Sequence, residues 1–139
     1  MQKSVTVSKA ASYKLGAHHA SPAIARAHVS LFAEGRASPE QLGVATLVVS
    51  ELVTNAVMYG SEPIELDLTL DVDELRIEVS DADSDLAAVV PPDMSSSSGP
   101  SGRGLRIVEV LARQWGVCEA AVGKIVWATI ELSSSRALG

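Results

Sequence analysis

The chain has 139 residues, 47% of them apolar and 20% charged, which excludes a wholly disordered protein and fits one domain around one real core. A single cysteine, Cys118, excludes an internal disulfide framework and any cysteine-based metal site. The net charge of −6, with no basic stripe, argues against non-specific nucleic-acid binding and leaves open an acidic protein meeting a basic partner.

At the N-terminus, Met1-Gln2-Lys3-Ser4 lacks the apolar run of a signal peptide. No stretch reads as the roughly 18 apolar residues of a membrane span, so a cytoplasmic location is expected. Residues 1–12 read as loosely ordered, with a short strand over Ser4–Val7, and Tyr13 and Leu15 open an ordered core that runs to residue 132. Ser21-Pro22 marks a helix start, with Ser as cap and Pro at the first helical position. Ile24, Ala27, Leu31 and Phe32 then recur at helical spacing, and Gly35 ends the helix.

Ser38 with Gln41 three residues on is a capping box, which starts a second helix over residues 39–59. Leu42, Ala45, Val48, Val49, Leu52, Val53 and Ala56 give it an apolar face, and Gly60 stands where a left-handed C-terminal glycine belongs. The period then changes to two. Ile64, Leu66, Leu68 and Leu70 alternate with polar residues, a turn follows at Asp71-Val72-Asp73-Glu74, and Leu75, Ile77 and Val79 resume the alternation. That pattern predicts an antiparallel hairpin with one buried face.

Residues 82–103 break the pattern with Pro91-Pro92, Ser95 to Ser98 and Gly99-Pro100. A loop of this length is either a passive surface segment or a functional one. A third helix carries Leu105, Val108, Leu111 and Trp115 on one side and closes at Gly116. The chain ends with a hairpin, Val117–Val122 and Ile125–Leu132 around a turn at Gly123-Lys124, and a polar tail over 133–139. Helices on one face of a mostly antiparallel sheet make a two-layer α/β sandwich of the α+β class, in one domain over 1–139.

Three groups of residues suggest chemistry. Glu51 and Asn55 lie four apart, on one face of an otherwise apolar helix. Together they could activate a hydroxyl and hold a hard cation such as Mg²⁺ through oxygen, or they could line the solvent edge of an amphipathic helix. Asp81 keeps the parity of Leu75, Ile77 and Val79, so its carboxylate points to the buried face and needs a donor. The exocyclic amine of a base such as adenine would serve, although a turn-starting Asp followed by Asp83 and Asp85 fits the same letters. Finally, Gly102 and Gly104 stand just before the third helix, where exposed amides attract phosphate, and Arg103 adds charge. The segment is not a P-loop. His18, His19 and His28 have no matching ligands further along the chain, so no metal role is expected for them.

In this order the groups resemble a known pattern. Glu51-Leu52-Val53-Thr54-Asn55-Ala56, then Val79-Ser80-Asp81, then Gly102-Arg103-Gly104-Leu105 resemble the N, G1 and G2 boxes of the ATPase fold shared by gyrase, Hsp90 and histidine kinases (the Bergerat type). More narrowly, Val49–Ala56 and Arg103–Val108 resemble the small stand-alone members, the anti-sigma factor serine kinases and their actinobacterial relatives, and Trp115-Gly116-Val117 and Gly123-Lys124 with Trp127 agree.

The resemblance implies roles. Asn55 would hold Mg²⁺ on the phosphates of ATP, and Glu51 would be the general base or would orient the attacking group. Asp81 would meet the adenine amine. Gly102, Arg103, Gly104 and Leu105 would belong to the phosphate-binding segment, and residues 82–101 would form a lid. The implied activity is phosphorylation of a serine on an anti-anti-sigma factor, with a sigma factor as a further partner. Homodimers occur among such relatives. The chain departs from the pattern at Asp81-Ala82-Asp83-Ser84-Asp85, where the family has Asp-x-Gly-x-Gly, at Tyr59, where relatives often have His, and at Lys124-Ile125, where many have Thr. A non-catalytic nucleotide-sensing or sequestering switch is the alternative to a kinase.

Overall fold

The computed structural model describes residues 7–84 and 100–132. In chain order the elements are β1 (Lys9–Leu15), α1 (Ser21–Phe32), α2 (Pro39–Tyr59), β2 (Ile64–Leu70), β3 (Glu74–Asp81), α3 (Pro100–Leu111), β4 (Gln114–Glu119) and β5 (Lys124–Glu131). The strands form one sheet in the order β1-β2-β3-β5-β4, and every neighbouring pair is antiparallel. This is the expected two-layer α/β sandwich, with a strand at Lys9–Leu15 that the sequence reading did not assign. Ser4–Val7, expected as a short strand, lies almost wholly outside the described residues, as do the Ser-rich part of the long loop and the tail.

Burial follows the period-two pattern. Ile64, Leu66, Leu68 and Leu70 of β2, and Leu75, Ile77 and Val79 of β3, are at most 1% exposed. Each such side chain contributes about 1.5–3 kcal/mol when removed from water. The helices cover this face, α2 against β3 and β5 and α1 against β2. Helix α2 starts at the Ser38 capping box as expected: Ser38 Oγ accepts from the Gln41 N–H, and Gln41 Oε1 accepts from the Ser38 N–H.

By length and composition alone, α2, with a mean hydropathy of 1.5, could cross a membrane, which corrects the expectation that no stretch could. It packs instead against α1, α3, β3 and β5, and a helix apolar on most sides suits that central place.

Several local expectations are corrected. Helix α1 buries Ala25, Val29 and Phe32, while Ile24 and Leu31 are 41% and 69% exposed. The buried stripe runs through Ala25, Val29 and Phe32, and Ile24 and Leu31 lie outside it. Ser21 does not cap its own helix: its Oγ donates to the Gly16 carbonyl and accepts from the His18 N–H. Helix α3 ends at Leu111, so Trp115 and Gly116 belong to β4. The Arg113 N–H bonds the Thr129 carbonyl at 2.7 Å, so the sheet captures the backbone there.

Candidate functional site

The second half of α2 presents the first site residues. Glu51 is half-buried, and Asn55, one turn later, is 7% exposed. Side chains four apart on a helix have Cβ atoms about 5–6 Å from each other, so the two can act on one ligand. Asn55 Oδ1 is buried and has no hydrogen-bond partner among the described residues. An oxygen left bare in this way costs free energy unless a ligand completes it. A hard cation prefers such a donor, so Asn55 fits a Mg²⁺ bound mainly through substrate phosphates. Among the described residues, no cluster of three or more His, Cys, Asp or Glu could hold a metal without such help.

Asp81 ends β3 on the buried face, as its parity predicts, and is 4% exposed. Its donor comes from within the chain. Lys124 Nζ lies 3.2 Å from Asp81 Oδ1, and both side chains are 2% exposed. The Ser61 and Asp83 N–H groups also donate to Oδ1, at 3.3 and 2.8 Å. Lys124 Nζ donates further to the Asp83 carbonyl at 2.9 Å. A buried ion pair survives only when its remaining donors and acceptors are satisfied, and this one has the backbone to do it.

The glycines on either side permit the arrangement. Gly60 has extended backbone, not the left-handed conformation expected of it, and its role is proximity: a Cβ there would stand 2.5 Å from Asp81 Cγ. Gly123 does take a left-handed turn, with φ of +86°, and a Cβ there would come within 1.8 Å of the Asp81 carbonyl oxygen. Lys124 is the first residue of β5, not part of the turn.

Gly102, Arg103 and Gly104 lie inside the first turns of α3, which begins at Pro100, rather than in a lead-in before the helix. Leu105 is 1% exposed and belongs to the core. Helix α3 packs on α2, the helix that carries Glu51 and Asn55. Residues 85–99, most of the expected lid, lie outside the described residues. His28 stacks on Tyr13 at 3.8 Å between centroids, and His18 Nδ1 lies 3.5 Å from Ser21 Oγ, so both are engaged locally.

Sequence reasoning missed Lys124 as the partner of Asp81. The signal was present: Lys124 shares parity with Val126, Ala128 and Ile130, which places it on the buried face.

Residues 16–130 match the histidine kinase-like ATPase domain. The chain belongs to this family. Membership implies a nucleotide-binding domain, and the N-box segment and Asp81 fall within the match. Among solved structures, the chain is similar to the RsbU and RsbW domains of Rv1364c from Mycobacterium tuberculosis, with 19% identity and a TM-score of 0.66 over 89% of this chain and 33% of that one. It is also similar to the histidine kinase domain of a blue-light activated histidine kinase from Erythrobacter litoralis, with 21% identity and a TM-score of 0.52 over 86% of this chain and 63% of that one. The chain thus spans a third of the first structure and under two thirds of the second, and at these identities the likeness is one of fold. No curated protein matches the chain in sequence.

Proposed function

We propose that this histidine kinase-like ATPase domain is a cytoplasmic Mg·ATP-dependent protein serine kinase of the anti-sigma factor type, which phosphorylates a serine on an anti-anti-sigma partner. The observation that carries the reading is the bare, buried Oδ1 of Asn55 one turn from Glu51. The likeness to a structure containing an RsbW domain supports the choice of subgroup.

In this reading Asn55 holds the Mg²⁺ that accompanies ATP. When bound, Mg²⁺ would partly neutralise the triphosphate, whose γ-phosphoryl group would pass to the serine oxygen as its bond to ADP breaks. Glu51 accepts the proton of the incoming serine hydroxyl and orients that oxygen. The amides at the start of α3, around Gly102 to Gly104, face the phosphates. Phosphoryl transfer depends chiefly on positioning and electrostatics, so a carboxylate, an oxygen ligand and backbone amides form a sufficient set.

Labelled Mg·ATP incubated with the protein and candidate anti-anti-sigma partners tests this. Transfer of label to a partner serine is expected, and tight nucleotide binding without any transfer would refute the kinase reading.

One observation favours a second reading. With Asp81 already paired to Lys124, the base end of the site differs from the expected pattern, which suits a switch that binds a sigma factor or its antagonist without transferring phosphate.

A further inference from the structure

Asp81 and Lys124 face each other at the last rung of the β3–β5 ladder. A carboxylate only accepts hydrogen bonds and an ammonium only donates them, so each is a natural partner of the other. Oδ1 takes the ammonium and two backbone N–H groups. The other oxygen lies under Gly60, where a Cβ would stand 2.6 Å from Oδ2. The carboxylate is therefore walled by backbone on one side and neutralised by its own chain on the other. An amine approaching Oδ1 would have to displace a charged donor, and at Oδ2 it would meet the Gly60 backbone and a carboxylate whose charge the ammonium already balances. The displaced ammonium would stay buried with the Asp83 carbonyl as its remaining described acceptor.

We propose that Lys124 is a specificity-determining residue of the nucleotide site. By occupying and neutralising Asp81 it silences the reader of the exocyclic amine, so the chain takes purine nucleoside triphosphates without choosing between a 6-amino and a 6-oxo base. Affinity then comes from the phosphate end, around Asn55 and α3. The inference rests on the nucleotide-binding reading above.

Inosine triphosphate is the fitting probe, because it carries a 6-oxo group where ATP carries the amine. The test is calorimetric titration of the intact protein with Mg·ATP and Mg·ITP. A carboxylate that reads the amine would separate the two about 10–100-fold, whereas a silenced one leaves them within about threefold. A wild-type preference for ATP above about tenfold would overturn this proposal and leave nucleotide binding intact. Binding of neither triphosphate at millimolar concentration would overturn the nucleotide-binding reading itself, and the proposal with it.

Lys124→Thr removes the ammonium, opens space beside Asp81 and suits a strand. In that variant ATP affinity is expected to rise about tenfold over ITP affinity. A folded Lys124→Thr protein with an unmoved ratio would overturn the proposal, because a merely structural lysine changes stability and not the ratio. Loss of one partner from a buried pair costs stability, so the variant is first checked by thermal unfolding. If it does not fold, the wild-type ratio alone decides.

Discussion

The backbone of Gly60, just past α2, lies against the carboxyl group of Asp81 at the end of β3, so closely that a Cβ on Gly60 would stand 2.5 Å from Asp81 Cγ. The contact joins the helix that carries Glu51 and Asn55 to the strand that carries Asp81. Gly60→Ala meets no backbone strain, since φ is −102°. It must instead push the carboxyl away from Lys124 or shift the helix end, at a cost of about 1–3 kcal/mol. Chemical denaturation measures this loss, and a variant as stable as the parent would mean that the contact yields freely.

Asn55→Ala separates a ligand from a structural residue. The bare buried Oδ1 contributes no bond within the described fold, so its removal is expected to change stability by less than about 1 kcal/mol in the nucleotide-free protein. Nucleotide affinity should lose its dependence on Mg²⁺. Titration with and without Mg²⁺ checks this. A large stability loss with the Mg²⁺ dependence intact would make Asn55 structural.

The α2 capping box gives a control far from the chemistry. Ser38→Ala removes the acceptor of the Gln41 N–H, a 3.0 Å bond. Stability should fall by about 1 kcal/mol. Nucleotide affinity of the folded protein should not move, and a fall in affinity would show that the start of α2 couples to the site.

Glu74 predicts a pH effect of definite sign. Burial, and then the nearby Asp71, raise its carboxyl above the ordinary value, and Arg113 offsets only part of this. A carboxyl raised in the folded state binds its proton more tightly there, so its ionisation costs stability at neutral pH. The cost disappears as pH falls below the value of the unfolded chain. Glu74→Gln is therefore expected to melt higher than the parent at pH 7, with the difference shrinking through the acidic range. A constant difference would refute it.

What could be read from the letters was what local rules determine alone. The bounds of α2 follow from Ser38, Gln41 and the apolar period, and the β2–β3 hairpin follows from strict alternation. Strand β1 was missed because Lys9–Leu15 is an edge strand with only partial burial, so its sequence carries little alternation. Trp115 sits four residues after Leu111 and mimics a helical position, but its backbone belongs to the β4–β5 ladder. On α1, apolar character misled: Ile24 and Leu31 are apolar yet exposed, while Ala25, Val29 and Phe32 form the buried stripe. At the site, the parity of Asp81 was legible and the identity of its donor was not, because the Asp81–Lys124 rung pairs strands 43 residues apart in sequence.

Phosphoryl transfer by a Glu51→Gln protein is the most direct measurement of the proposed activity. The amide keeps the size of the side chain and removes its basicity. Nucleotide affinity, followed by titration, should stay close to that of the parent, while transfer of label from ATP to the partner serine falls about 10²–10⁴-fold. A folded Glu51→Gln protein that phosphorylates its partner at the parental rate would contradict the role of Glu51 as the base.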